Sequence, residues 1–132
     1  MNTKIVMTSS ALFYGVIGIL FSFLPNEIAG YLNVESNIIT ILFLKIMSAL
    51  YLGFGILNWM AKETLIGGIY NKPIAFGNLM HFCVGAITLV KVVSNIKTHL
   101  EIVISLTLVY VIFAILFVYI FRTNPTKTKK KK

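Results

Sequence analysis

Apolar residues run almost unbroken from Lys4 to Leu24, give way to a polar stretch, and resume three more times, from Ile38 to Ala61, Pro73 to Val93 and Leu100 to Phe121. Each run reaches the roughly 20 residues that a helix needs to cross about 30 Å of hydrocarbon. In lipid every backbone N–H and C=O must be satisfied internally, so each run predicts a transmembrane helix. The pattern predicts an all-α integral membrane protein, a four-helix up-and-down bundle over residues 1–121. Residues 122–132 form a separate polar tail.

The breaks between the runs are short. Pro25 to Asn37 opens on Pro-Asn-Glu, which reads as a stop and turn, and it carries Glu27 and Glu35. Lys62 to Lys72 contains Gly67-Gly68, and Pro73 suits a first helical position, where its missing N–H costs nothing. Ser94 to His99 is little more than a tight connection. Links this short make sequential helices antiparallel neighbours.

Composition agrees. Hydrophobic residues are 58% of the 132 and charged residues 12%, with a mean hydropathy of +0.88. A water-soluble domain of this size would lack the charges to cover its outside. The first run is expected to be kept as a span and not removed as a leader. It is longer than a signal-peptide core, and no Ala-x-Ala site precedes Pro25.

The net charge of +8 acquires meaning once it is placed on four spans. Lys4, Lys62, Lys72, Arg122 and lysines 127, 129, 130, 131 and 132 share one side, while only Lys91 and Lys97 fall on the other. Basic residues in short flanks mark the cytoplasmic face, so both termini are expected inside. The tail, with Pro125 and four terminal lysines, is too polar to fold alone. Directly beside a span, it is expected to meet anionic lipid headgroups, at about 1 kcal/mol per lysine near the surface. It has no interleaved aromatics, so nucleic acid is not an expected partner.

Two surfaces are drawn by small residues. Ala11, Gly15, Gly18 and Ser22 line the first helix; Ala49, Gly53 and Gly55 lie on the second. Small residues let helix backbones approach within lipid, so these faces are expected to meet. Glycine-lined faces also support a symmetric partner, and a homodimer or a subunit of a larger membrane complex is the expected assembly.

The third helix mixes small and polar residues: Gly77, Asn78, His81, Gly85 and Thr88. His81 lies eight residues beyond Pro73, roughly 12 Å into the hydrocarbon at 1.5 Å per residue. An imidazole there should face inward, either bonded to Asn78 or a backbone carbonyl as a structural group, or lining a ligand or proton site. Lys45, seven or eight residues into the second helix, either snorkels outward along its stem or pairs inside with Glu101 or Glu35. Tyr110 falls at compatible depth in the fourth helix. The candidate ligand-binding set is therefore His81, Asn78, Lys45 and Tyr110. Trp59 and Lys62, with Lys72 across the loop, form an expected interfacial anchor or headgroup contact.

Several chemistries lack their residues. One cysteine, Cys83, permits no intrachain disulfide or Cys-x-x-Cys pair. There is no aspartate, and the four glutamates lie near loops or surfaces. Two histidines do not make a haem or zinc cluster, and no phosphate-binding glycine loop has a βαβ unit to carry it. No catalytic residue, metal or cofactor of the chain's own is expected.

The size, the four evenly spaced spans and the Lys45-to-Trp59 stretch with its Ala49-Leu50-Tyr51-Leu52-Gly53-Phe54-Gly55 core resemble the small four-helix bacterial membrane proteins of the DoxX-like type. The resemblance covers most of residues 5–121. It implies the four-span fold and, for some relatives, association with quinone-linked sulfur oxidation, but it identifies no catalytic residue here. The expected function is non-catalytic: packing with a partner or binding a small apolar or amphipathic ligand. The alternatives are a small transporter or channel-like subunit, and an accessory subunit of a quinone-linked membrane oxidoreductase.

Overall fold

The computed structural model describes residues 2–64, 66 and 69–123. The loop glycines Gly67 and Gly68 and the basic tail from residue 124 onward lie outside the described residues. The described residues are all-helical, with five helices: α1 (Thr3–Phe23), α2 (Pro25–Tyr31), α3 (Ile38–Ala61), α4 (Lys72–Val93) and α5 (Leu100–Arg122). Four of them, α1, α3, α4 and α5, are long and apolar enough to cross a membrane. A single 3-10 turn, Ile69–Asn71, leads into α4. The described residues group into two compact units, Met7–Lys62 and the remainder, Met1–Val6 with Glu63–Lys132.

In the Met7–Lys62 unit, α1 and α3 pack antiparallel. The closest approaches involve glycine. A Cβ at Gly55 would lie 3.3 Å from the Ala11 carbonyl and from the Gly15 nitrogen, and one at Gly18 would overlap Leu52. Ala11, Gly18 and Gly55 are thus in the contact, whereas Ala49 and Gly53 point outward. Gly53 and Gly55 are two residues apart, about 200° around a helix, and cannot share one face. Polar groups join the same seam. Ser48 Oγ donates to the Gly18 carbonyl at 2.8 Å, and Asn58 Nδ2 donates to Ser10 Oγ at 2.9 Å. Ser10 Oγ in turn donates to the Met7 carbonyl at 3.0 Å. Tyr14, fully buried, sets its ring against Tyr51 and Phe54 at 5.8 and 5.5 Å.

The segment read as a turn after the first span holds a helix. Pro25 starts α2, and Glu27 sits in its first turn, where a carboxylate suits the positive helix end. Asn33 closes it in the left-handed region, φ 55°. Asn33 N–H donates to the Gly30 carbonyl at 3.1 Å and Val34 N–H to the Ala29 carbonyl at 2.9 Å, which is the Schellman pattern. Asn37 then caps α3, its Oδ1 accepting from Thr40 N–H at 2.9 Å.

In the other unit α4 and α5 form an antiparallel hairpin. Phe82, fully buried, stacks on Phe113 and Phe117 at 4.8 and 5.7 Å and meets Tyr110 edge-on at 5.3 Å. Phe76 and Phe121 continue the contact toward the start of α4, 5.7 Å apart. Pro73 occupies the second helical position of α4, not the first. Where α4 ends, Ser94 and Asn95 side chains both donate to the Lys91 carbonyl at 3.0 Å, satisfying a helix end. His99 adopts φ 56°, turning the chain into α5. Lys4 Nζ and Glu63 Oε1 make an exposed ion pair at 2.8 Å.

Candidate functional site

Hydroxyls on the α4–α5 hairpin mostly bond their own helix. Thr88, Ser105 and Thr107 donate to the carbonyls of Val84, Glu101 and Val103 at 2.9, 2.8 and 2.6 Å. In hydrocarbon this is how a hydroxyl avoids desolvation without a partner helix. Asn78, fully buried, donates its amide to the Ile74 carbonyl at 2.9 Å.

His81 and Tyr110 bond across the helices instead. His81 Nε2 and the Tyr110 hydroxyl share a hydrogen bond of 3.0 Å, its direction set by the imidazole tautomer. The rings lie 5.5 Å apart at 35°, and Phe82 meets both edge-on. Tyr110 is buried and His81 half-buried, between the exposed Met80 and Val84. The hairpin thus brings one hydrogen-bonding ring to the edge of an apolar surface, backed by a buried phenol.

Gly85 explains how the phenol fits. A Cβ at this position would overlap the Tyr110 ring. The space left beside His81 by this glycine is therefore filled by the chain's own tyrosine. Residue count places His81 at its depth, but it does not say which ring turns into the space beside it.

The remaining candidates have contacts of their own. Lys45 lies on α3, in the Met7–Lys62 unit, and is exposed. Lys62, in that same unit, sets its Nζ 3.1 Å from the centre of the Trp59 ring, a cation–π contact. Lys72 belongs to the α4–α5 unit, its Nζ 5.9 Å from the centre of the Phe121 ring. Glu63, near Lys62 in sequence, pairs with Lys4. Cys83 is partly buried on α4.

Sequence reasoning missed the polar seam of α1 and α3, formed by Ser10, Ser48 and Asn58. Its signal was available in the spacing. Ser10 lies one residue from Ala11, and Asn58 three from Gly55, so both border the small-residue faces.

Among the described residues no three His, Cys, Asp or Glu side chains gather as a metal site would need. Four membrane-length apolar helices joined by short connections define a multi-pass α-helical membrane protein. Beyond that class, no protein-family model, curated protein or solved structure matches the chain.

Proposed function

We propose that this protein is a non-catalytic, four-span membrane protein, of up-and-down topology with both termini cytoplasmic, that acts by binding laterally within the bilayer. The observation that carries the reading is the His81–Tyr110 pair. A half-buried imidazole is held in place by a buried phenol on a surface otherwise made of Met80, Val84 and other apolar side chains. The imidazole–phenol pair marks a polar point on an apolar face, which suits a membrane-embedded partner helix or a small amphipathic molecule held mainly by dispersive contacts around it. The filled space at Gly85 and the stacked Phe82, Phe113 and Phe117 support surface binding over an internal pocket. The basic flanks support the orientation, and the DoxX-like resemblance supports the four-span reading.

The experiment compares wild type with His81→Ala and Tyr110→Phe in native membranes. Blue-native electrophoresis reads the assembly, and mass spectrometry reads small molecules that copurify in lipid discs. The expected result is loss of an assembly or a retained amphiphile in His81→Ala, with insertion of all four spans unchanged. Wild type running as a bare monomer and carrying only bulk lipid would overturn the proposal. Orientation is read from single cysteines placed in a Cys83→Ala background. Label should reach Asn33 and His99 from outside, and Tyr70 and Arg122 from inside.

A further inference from the structure

The α1–α3 seam leaves an open groove on its outer side, about 220 Å³, lined by Ala11, Leu12, Gly15, Leu52, Gly55, Ile56 and Trp59. Its floor is open at Gly15, where a Cβ would meet nothing within 4 Å. Leu12 and Ile56, 59% and 61% exposed, stand on either side of it. From Trp59 to Leu52 the groove runs seven residues, roughly 10 Å along α3. That is about two-thirds of one leaflet of a hydrocarbon core about 30 Å thick.

The two ends of the groove differ. One reaches into the middle of two spans and is wholly apolar. The other ends at Trp59, whose ring carries the Lys62 ammonium 3.1 Å from its centre. Tryptophan and lysine together mark the headgroup level of a span. An ammonium has three donors, and a ring face occupies one side of it only, so the other side is available to an anion. No carboxylate lines the groove to compete for that charge.

We propose that the α1–α3 groove binds an anionic glycerophospholipid, with one acyl chain along Gly15, Leu52 and Gly55 and the phosphate beside Lys62. A second copy of the chain is the poorer occupant. Copies inserted in one orientation would bring two Lys62 ammoniums together at the same depth, where like charges repel. The site shares no residue with the His81–Tyr110 pair and does not depend on the function proposed for it.

Trp59 is the chain's single tryptophan, so its fluorescence reports the groove directly. The full chain is placed in phosphatidylcholine vesicles doped with brominated phosphatidylglycerol or, at equal fraction, brominated phosphatidylcholine. Bromine on the chain quenches the indole only on approach. Wild type should favour the anionic quencher about five-fold, the preference one lysine near an anionic surface confers. Lys62→Gln should bring that preference to near unity. Gly15→Leu, whose Cβ meets nothing within 4 Å, should weaken quenching by both lipids and most by the anionic one. Arg122→Gln removes an equal charge at the end of another span and should keep the preference. Equal quenching by the two lipids in wild type, equal loss in Arg122→Gln and Lys62→Gln, or a cross-linked dimer abolished by Gly15→Leu would each overturn the proposal.

Discussion

Where α1 meets α3 many of the close atoms belong to backbones, with Gly55 near the Ala11 carbonyl and the Gly15 nitrogen and the Ser48 hydroxyl on the Gly18 carbonyl, beside the Tyr14 ring on Tyr51 and Phe54. Where α4 meets α5 they belong to rings, with Phe82 between Phe113 and Phe117 and Tyr110 bonded to His81. Lipid tails are as apolar as leucine, so neither contact gains from removing surface from water. Each seam must gain from closeness. The first gains by deleting side chains so that main chains touch, the second by filling the gap with flat, polarisable groups. The first has no room for an atom added at Gly55, and the second loses contact when a ring is removed from around Phe82.

The sharpest way to break the comparison is Phe82→Ala. Emptying the centre of the α4–α5 seam should cost about 3 kcal/mol, the low end for a buried phenylalanine, because part of the transfer term is lost in lipid. Unfolding by sodium dodecyl sulfate in mixed micelles measures it, and a cost below that of the next substitution would show that the rings are not the main contact. Gly55→Val is the converse test. Its Cβ would press on backbone that cannot rotate away, and overpacking of this kind costs about 1–3 kcal/mol. The same substitution at Gly53, where nothing lies within 4 Å, should be nearly silent in the same assay.

Hydrogen bonds across the two seams should matter less than shape. Asn58→Leu and Tyr110→Phe each remove one interhelical bond, worth about 0.6 kcal/mol on average and about 1.7 at most in a membrane protein. Tyr110→Phe keeps the ring, so a loss as large as that of Phe82→Ala would mean that the hydroxyl, not the stack, joins α4 to α5. The smallest effect belongs to Lys4→Gln. Its partner Glu63 is exposed, and the change in stability should stay within about 0.5 kcal/mol and shrink further in high salt.

What a reader of the bare sequence could extract followed the coordinate along the helix axis. Runs ending at Ala61 and Val93 end helices there, and the fourth run begins a helix at Leu100, because an apolar run and a membrane set one another's length. The matched depths of His81 and Tyr110 were legible in the same way, from residue counts at a fixed rise. Rotation about the axis was not. Nothing in Gly85 alone says that the Tyr110 ring lies over it, and nothing in Gly53 says that it faces away from α1. The α2 helix was missed for another reason. Pro25, Glu27 and Asn33 are its start, first-turn and stop signals, yet seven residues between two far stronger apolar runs read as connection.

Gly85 and Tyr110 together occupy a volume that neither can claim alone, since any side chain at position 85 would stand where the ring now lies. Change at these two positions is therefore ordered in time. A lineage that first enlarges residue 85 meets a clash, whereas one that first shrinks residue 110 passes through a cavity, the milder defect, and can then fill it from the opposite helix. Descendants of such a chain should divide into two kinds, glycine facing a ring or a bulkier residue facing a small one, with few intermediates. The second kind would also have lost the phenol that holds His81, so a packing trade between two helices would end by deciding whether the imidazole keeps its place.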